Sequence, residues 1–421
     1  MNLFIRDARL PDHPDPVHIA IQDGRILAIG PEITPATPEI PILDAGGLAA
    51  TPGLVNGHTH ASMTLFRGFG DDMPLMQWLQ TRIWPAEARL DEEDVYWGAR
   101  LACLEMIRSG TVAFEDMYWH FHGMARAVED SGLKAGVGAV MIDVAGPEQG
   151  EACRRLAETT FEESGRYSDR VRFTLTPHAI YTVSPESLRW TADFSARHDL
   201  PVHIHLSETG HEVETCLKHH GVRPAFHLDR QGLLTPRVIL AHGVWLDDDE
   251  LDLIARRGAT LVTNPVSNMK LAVGGVFPFA RAQARGIPIA LGTDGAASNN
   301  TLDLFQEMKF LALIQKHAQH DPTALPAHQV WEVATGAKAP LVGQTGQLTV
   351  GAPADLLLLR HHEPEMTPEH DLISNLVYSA TGHVVDTMIV AGRILMRNRV
   401  VPDEAEIRRE ARERARRVCT P

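Results

Sequence analysis

Two histidines one residue apart are the first residues in this sequence whose type and spacing indicate chemistry. His58 and His60 end the short apolar run "PGLVNGHTH". Because successive side chains of a β-strand alternate between its faces, residues i and i+2 point the same way. Two neutral imidazoles held in this way can bind one divalent metal ion. The pair alone is a weak signal, since a His-x-His sequence is more often just the polar end of a strand.

Three later apolar runs also end in side chains that bind metals or transfer protons. His205 lies near the end of "VHIHLSE", with Glu208 three residues later, and His242 ends the run "VILAH". Asp294 follows a further apolar run, in "LGTDGAASNN". The strand period does not decide between His203 and His205, because both lie on one face of the same run.

The elements that must position these residues are strand-like runs separated by helical stretches. The runs are "GLVNGHTH", "TVAFEDM", "VGAVMIDV", "RFTLTPHA", "VHIHLSE", "VILAHGV", "TLVTNPVSN" and "PIALGTDGA". Such alternation implies parallel pairing, and eight units predict an α/β fold with a closed (β/α)8 TIM barrel over residues 51–346. Barrel enzymes place their chemistry at the C-terminal ends of the strands, where these polar residues lie. An open doubly wound sheet is the alternative, but the Gly-rich phosphate loop common in that fold is not evident.

The two ends of the chain have a different pattern. Residues 1–50 and 347–421 contain short strands and turns, notably "VHIAIQDGRILAIG" and "DTMIVAGRILMRN". Each segment is too small to bury a core alone, so we expect them to join into one composite β-sandwich domain with the barrel inserted between its halves. The C-terminal "EAEIRREARERARRV" predicts a charged helix with a solvated face or an oligomer contact.

Composition excludes several classes of function. The 421 residues carry a net charge of −15, and no face rich in Lys and Arg stands out, which argues against nucleic-acid binding. Neither a secretory signal nor an apolar run long enough to cross a bilayer is apparent. The four cysteines form no CxxC pair, which fits a reducing cytoplasm and argues against disulfides and a Cys-based zinc site. We therefore expect a cytoplasmic protein with no nucleic-acid or membrane partner.

The longer motifs resemble the amidohydrolase superfamily over essentially the whole chain. The resemblance rests on "PGLVNGHTH", "HLSE", the histidine of the sixth run, "LGTDGAASNN" and "GAPADLLLL". Within that superfamily, "MTLFRGFGDDMPLMQWLQTRIWPAE" and "GTDGAASNNTLDLFQEMKF" are similar to the 5-methylthioadenosine/S-adenosylhomocysteine deaminase group. The resemblance implies hydrolytic deamination of an adenosine-type nucleoside to the inosine analogue and ammonia.

The resemblance also implies a single zinc ion bound by His58, His60, His205 and Asp294. His205 is preferred because the superfamily's ligand precedes the glutamate by three positions, and His203 is then expected to be buried one layer below. The second run, "TVAFEDM", holds no lysine to be carbamylated, which favours one metal ion over two. Zinc in such a site lowers the pKa of a water molecule towards ~7, and the ligands also suit iron or manganese.

The catalytic roles follow from the same resemblance. Asp294 would accept the proton of the attacking water, and His242 would hydrogen-bond the attacking oxygen and steady its charge. Glu208 would protonate a purine ring nitrogen and then pass a proton to the departing amine, a contribution of ~10²–10⁴-fold.

Three further residues are candidates for contact with substrate. Glu87, in "IWPAE", resembles the carboxylate that binds the ribose hydroxyls, the alternative being a helix-surface residue. His178, in "TPHAIY", resembles a nucleoside contact, the alternative being a capping or core role. Trp84 shares with Met76 and Trp78 a spacing typical of packing, but this segment lies over the active site in the group.

One departure from the group bears on the substrate. Members that accept S-adenosylhomocysteine are expected to bind its carboxylate through arginines after the third strand. The segment "KAGVGAVMIDVAGPEQG" contains none, so Arg154 or Arg155 would have to substitute. The sequence therefore favours 5′-methylthioadenosine or adenosine.

Alternative functions and structural roles remain beside these. The same metal site would serve a guanine or pterin deaminase or a chlorotriazine hydrolase, and the alternative from a different class is a non-catalytic barrel that only binds ligands. Glu115 and Asp116 are expected to make structural hydrogen bonds. The pairs His219–His220 and His361–His362 are expected to be exposed to solvent. A homo-oligomer is expected because such barrels commonly form one.

Overall fold

The computed structural model describes residues 1–420 except residues 12, 14 and 345. Its strands are β1 (Leu3–Ala8), β2 (Val17–Gln22), β3 (Arg25–Gly30), β4 (Ile42–Asp44), β5 (Ala49–Pro52), β6 (Leu54–Thr59), β7 (Thr111–Tyr118), β8 (Lys134–Met141), β9 (Val171–Phe173), β10 (Thr176–Pro177), β11 (Val202–Leu206), β12 (Val238–His242), β13 (Thr260–Thr263), β14 (Ile289–Leu291), β15 (Leu356–Leu359), β16 (Val385–Val390) and β17 (Arg393–Met396).

Helices alternate with the central strands. The α-helices are α1 (Leu75–Trp78), α2 (Trp84–Glu87), α3 (Glu92–Ser109), α4 (Phe121–Ser131), α5 (Pro147–Ser164), α6 (Pro185–His198), α7 (Gly210–His220), α8 (Pro224–Arg230), α9 (Asp248–Arg257), α10 (Pro265–Lys270), α11 (Phe279–Ala284), α12 (Leu304–Gln319), α13 (Ala327–Ala334), α14 (Leu372–Tyr378) and α15 (Glu404–Cys419). A π-helical turn joins α1 to α2 (Leu79–Ile83), and short 3₁₀ helices occur at Ala61–Phe66, Pro364–Met366 and Gly382–Val384.

The central strands form the predicted (β/α)8 barrel. Strand β6 pairs in parallel with β7 and β7 with β8, and the fourth strand position is split into β9 and β10, which both pair with β8. Strands β11 to β14 follow in order, all in parallel. An isolated bridge between Leu175 and Val202 joins the two arcs. Since each helical connection returns the chain to the same end, all the strands point one way. The barrel prediction is confirmed, and the doubly wound alternative is wrong.

The barrel closes at the strand that carries the metal-ligand motif. The backbone N–H groups of Thr293 and Asp294 donate to the carbonyl of His58 over 3.2 and 3.0 Å. Gly292 makes this approach possible, because a Cβ there would lie 2.4 Å from Asn264 Oδ1 and 2.9 Å from the His58 nitrogen. The chain just after β14 is thus held against the end of β6.

The chain ends build the small β-sandwich domain. One sheet has the order β3-β2-β1-β4 and the other β17-β16-β15-β5. Apolar side chains from both sheets form a common core, including Ile5 and Ile19 from the first and Leu356 and Ile389 from the second. Alternating inward-facing residues of this kind are typical of a sandwich. The composite domain is confirmed, while its boundaries at 50/51 and 346/347 stay predictions; β5 itself runs past residue 50.

The predicted charged helix at the C-terminus is present as α15, and most of its residues are at least partly exposed. Its Ile407, Ala411 and Val418 are buried, however, and its Arg417 Nε donates to Asp94 of α3 over 3.0 Å. One expectation for the C-terminal segment is wrong. His361 is buried rather than exposed, with Nδ1 2.8 Å from Glu369 Oε2 and Nε2 3.0 Å from the Gly47 carbonyl. In both places a polar stretch late in the chain packs against elements from earlier in the chain, so residues that look exposed in the sequence become buried. Among the described residues, no helix has the length and apolar character that a bilayer crossing requires.

Candidate metal centre and active site

The structure brings the predicted metal-site residues together at the C-terminal rim of the barrel. Nε2 of His58 and Nε2 of His60 lie 3.4 and 3.2 Å from Asp294 Oδ1. Nε2 of His205 lies 3.3 Å from Nε2 of His60. Ligand atoms of His58, His205 and His242 also fall within 4.8 Å of one another. Side chains from the first, fifth, sixth and eighth strands therefore converge on one point.

Each predicted imidazole ligand is fixed by a hydrogen bond at its other ring nitrogen. Nδ1 of His60 donates to the Met117 carbonyl over 2.5 Å, and Nδ1 of His205 donates to the His178 carbonyl over 2.7 Å. Nδ1 of His58 lies 2.9 Å from Nε2 of His203. This arrangement leaves the three Nε2 atoms facing the cluster, as outer partners of metal-binding histidines do. His203 is buried, as expected.

The Asp294 carboxylate is held on both sides. Its Oδ1 accepts the Gly295 N–H over 2.8 Å, while Oδ2 accepts hydroxyl hydrogen bonds from Ser267 (2.6 Å) and Ser298 (3.0 Å). The residue itself has φ +62°, a left-handed conformation that is costly for a residue with a Cβ. The sequence interpretation missed both serines. Their one available signal was position, since each follows a barrel strand at the catalytic rim.

The electrostatics of the cluster suit a cation. Burial opposes a charge on Asp294 and on His60, but their mutual contact prevails: the pKa of Asp294 lies well below its ordinary value, and the pKa of His60 rises to about 9. Burial lowers the pKa of His58 to about 4 and that of His205 well below its ordinary value. His58 and His205 are therefore neutral beside an ionised carboxylate, as metal binding requires, and a bound cation would displace the proton that His60 holds.

Two further rim histidines complete the cluster. His242 ends β12 with φ +74°, its Nδ1 is 2.9 Å from Asn268 Oδ1, and its ring stacks on that of His205 at 5.3 Å between centroids. The His178 ring lies 4.7 Å from the His205 ring, and its Nδ1 is 2.8 Å from Thr182 Oγ1. Both histidines therefore lie against the predicted ligands.

Glu208 follows β11 in a turn that a second glutamate holds. The buried Glu212 carboxylate accepts the backbone N–H groups of Ser207 (2.9 Å) and Glu208 (2.8 Å). Ser207 has φ +50°, so this tether stabilises a strained backbone. Burial raises the pKa of the Glu208 side chain, which favours a carboxyl group that carries a proton. Glu212 was missed by the sequence interpretation.

Glu87 is placed beside the cluster. Its Oε1 accepts a hydrogen bond of 2.9 Å from the buried hydroxyl of Tyr118, whose ring lies 6.3 Å from the His60 ring. Glu87 is half-buried on α2, and burial raises the pKa of its carboxyl group. Trp78 is buried, as a packing role requires, whereas Trp84 and Met76 are 46% and 49% exposed.

A cavity of about 350 Å³ is lined in part by Tyr181, whose ring meets the His178 ring with centroids 5.9 Å apart. Its lining includes Asp143, Arg154, Tyr181, Ser184 and Glu186. The Arg154 guanidinium donates to Ser187 Oγ over 2.9 Å and pairs with Glu186 at 3.1 Å, whereas Arg155 is exposed and pairs with Glu151. Of the two arginines considered as substitutes, only Arg154 lines this cavity.

The residues given structural roles mostly keep them. Asp116 Oδ1 accepts the Ala61 N–H over 2.7 Å, as expected of a structural hydrogen bond. Glu115 is buried, with Thr174 Oγ1 3.5 Å away, and burial raises its pKa to about 7. His219 is exposed as expected, while His220 is half-buried and stacks on His227.

Comparison with known proteins identifies the family. The model of the amidohydrolase family matches residues 49–395. The chain is 49% identical to a 5′-deoxyadenosine deaminase of Methanoregula boonei, over 90% of this chain and 86% of that protein. It is 46% identical to a 5-methylthioadenosine/S-adenosylhomocysteine deaminase of Syntrophobacter fumaroxidans, over 91% and 89% of the two chains.

A solved structure is also similar over the whole chain. It is an adenosine deaminase from Xanthomonas campestris with bound zinc, which superposes with a TM-score of 0.89 at 35% identity over 99% of this chain and 98% of that one. As predicted, the protein is an enzyme, a hydrolase acting on carbon–nitrogen bonds. The chain belongs to the amidohydrolase family.

Proposed function

We propose that this enzyme is a metal-dependent deaminase of adenosine-type nucleosides with a small uncharged 5′ group. The observation that carries the proposal is the convergence of three imidazoles, one carboxylate and Glu208 at one rim, with Glu87 beside them. The deaminase names of the relatives at 46–49% identity support the same class of substrate.

His58, His60, His205 and Asp294 are the proposed ligands of one zinc ion. Their chemistry fits, because Nε2 of His58 is buried without a hydrogen-bond partner among the described residues. Such an unpaired polar atom is costly unless something binds it. When bound, zinc supplies Lewis-acid activation of a water molecule. Zinc is favoured over iron or manganese because the similar solved structure contains it.

The chain's own residues would move the protons. Asp294, held ionised by its contacts, accepts a proton from the attacking water. Glu208, whose raised pKa favours the acid form, protonates a purine ring nitrogen so that C6 becomes more electrophilic. His242 donates a hydrogen bond to the oxygen that bonds to C6. The two protons of the water finish on the ring nitrogen and on the departing ammonia, delivered through Glu208 and Asp294.

The remaining rim residues would bind the nucleoside. Glu87 is proposed to accept hydrogen bonds from the ribose 2′- and 3′-hydroxyls through the oxygen that Tyr118 does not occupy. His178 and the exposed Trp84 are proposed contacts with the nucleoside, His178 from beside His205 and Trp84 from the helical segment that carries Glu87.

We propose that the cavity lined by Tyr181 receives the 5′ group of the nucleoside, because Tyr181 contacts His178 at the rim. Arg154 already pairs with Glu186 and Ser187, and Asp143 lines the same cavity, so this surface favours a neutral 5′ group over an amino-acid tail. The proposed substrates are 5′-methylthioadenosine first, with 5′-deoxyadenosine and adenosine as analogues. The 5′-deoxyadenosine deaminases among the relatives agree with an uncharged 5′ group.

A substrate panel tests the proposal. We expect the adenine-to-hypoxanthine absorbance change and ammonia release with the neutral 5′ analogues, a much lower kcat/KM with S-adenosylhomocysteine, and no ammonia from guanine. Turnover of guanine or a chlorotriazine in place of the adenosines would contradict the substrate class. Comparable kcat/KM for both thioether nucleosides would contradict the 5′ preference.

A matched pair of variants tests catalysis itself. Glu208→Gln should lower kcat by about 10²–10⁴-fold, with metal content unchanged. Glu214→Gln, an exposed substitution on α7, should leave kcat unchanged. Full activity of Glu208→Gln would refute its role in proton transfer, and an absence of turnover in the wild type would favour a barrel that only binds ligands. The homo-oligomer stays a prediction.

A further inference from the structure

We propose that His203 is a positioning residue that orients His58 for metal binding by accepting a hydrogen bond from its Nδ1. The inference rests on the metal-ligand part of the proposed function and is independent of the substrate. Three observations carry it: the pairing of the two rings, the unusual nature of the partner, and the burial of both.

The first observation is the contact. Nε2 of His203 lies 2.9 Å from Nδ1 of His58, and the two rings meet edge to face with centroids 4.8 Å apart. The two positions are 145 residues apart in the chain and belong to β6 and β11. Because both side chains point into the barrel, only the closed fold brings them together.

The second observation is the contrast with the other ligands. His60 and His205 donate through Nδ1 to backbone carbonyls, which can only accept and therefore fix the ring tautomer. The Nδ1 of His58 instead faces the imidazole of His203. An imidazole can accept or donate, so His58 presents a free Nε2 to the metal only if His203 accepts through its own Nε2.

The third observation is burial. Both rings are fully buried, and Nδ1 of His203 has no hydrogen-bond partner among the described residues. A buried unpaired donor is unfavourable for stability alone. An apolar side chain of similar size would fill this space without that cost, so the presence of an imidazole here indicates a role in holding His58.

Glutamine and asparagine separate this role from packing. The amide of Gln reaches about as far as Nε2 of His and can accept from His58, whereas the amide of Asn reaches only about as far as Nδ1. Both residues are polar and similar in volume, so their folding should be comparable. His203→Gln therefore retains the acceptor at the required place, and His203→Asn removes it.

The experiment measures zinc affinity by chelator competition on the full chain, with apo-protein melting as the check on folding. We expect His203→Asn to bind zinc about 10- to 100-fold more weakly than wild type and His203→Gln to stay within about threefold. His219→Gln, on the exposed side of α7, should match wild type. Equal affinity of the Asn and Gln variants, whether high or low, would overturn the proposal.

A ligand variant separates this inference from the proposed function. His60→Ala should lose most of the zinc affinity. If His60→Ala binds zinc normally, the assigned metal site itself fails. If His60→Ala loses zinc while His203→Asn binds as tightly as wild type, only the positioning role of His203 fails.

Discussion

Replacing Glu212 by Gln should lower activity without removing the metal. In the structure the buried Glu212 carboxylate accepts the N–H groups of Ser207 and Glu208 over 2.9 and 2.8 Å. A glutamine preserves the shape but keeps only one acceptor oxygen, and its NH₂ group then faces a backbone N–H. The turn that presents Glu208 therefore loses one of the two hydrogen bonds that Glu212 accepts from it.

The magnitude follows from the hydrogen bond that is lost. Leaving one buried N–H unsatisfied costs about 1–3 kcal/mol. If holding the turn in the conformation that presents Glu208 costs that much extra free energy, kcat/KM falls by about 5- to 150-fold, since about 1.4 kcal/mol corresponds to a tenfold change in rate. The strained φ of +50° at Ser207 favours opening once the tether is weakened.

The assay is the absorbance change with 5′-methylthioadenosine, together with metal content of the same sample. Glu214→Gln, two residues further along α7 and exposed, is the matched control and should keep wild-type kcat/KM. A Glu212→Gln enzyme with kcat/KM within twofold of wild type would refute the tether. Loss of metal in that variant would show that Glu212 acts on the cluster instead of on Glu208.

Two other substitutions test other contacts. Tyr118→Phe removes the hydroxyl that holds Glu87, so the preference for adenosine over 2′,3′-dideoxyadenosine should fall about tenfold or more in kcat/KM; an unchanged preference would argue against the contact between Glu87 and ribose. Glu115→Gln tests pH dependence. Because burial raises the pKa of Glu115 from 4.5 to about 7, the stability associated with its protonated form is complete below pH 4.5 and is lost as pH rises through about 7. The pKa difference corresponds to about 3 kcal/mol of unfolding free energy. In urea unfolding of the apo-protein, wild type should therefore lose about that much stability between pH 5 and pH 8, whereas Glu115→Gln should not. Parallel stability changes in the two proteins would contradict the assignment.

The convergence of the metal site could be predicted from the sequence because it depends on topology alone. Alternating strands and helices predict a parallel barrel, and the C-terminal ends of all its strands lie at one rim. The predicted site residues each follow or end such a strand: His58, His205, His242 and Asp294. Their convergence could therefore be predicted without knowing the conformation of any loop. The choice of His205 over His203 did require the family resemblance, because strand periodicity treats the two alike.

The supporting contacts could not be predicted because they depend on how loops return to the rim. Ser267 reaches Asp294 from α10, Ser298 reaches it from the loop after β14, and Glu212 of α7 reaches back across a turn. No periodic pattern marks such contacts. His361 was wrongly placed in solvent for the same reason, since its partners lie 314 and 8 residues away in the chain.

The most direct test of the metal site is a crystal structure of the zinc-loaded enzyme with anomalous data at the zinc edge. We predict a single strong peak about 2.0–2.2 Å from Nε2 of His58, His60 and His205 and from an oxygen of Asp294. A peak bound elsewhere, or a second peak of equal strength in the barrel, would contradict the assignment of these four side chains to one ion.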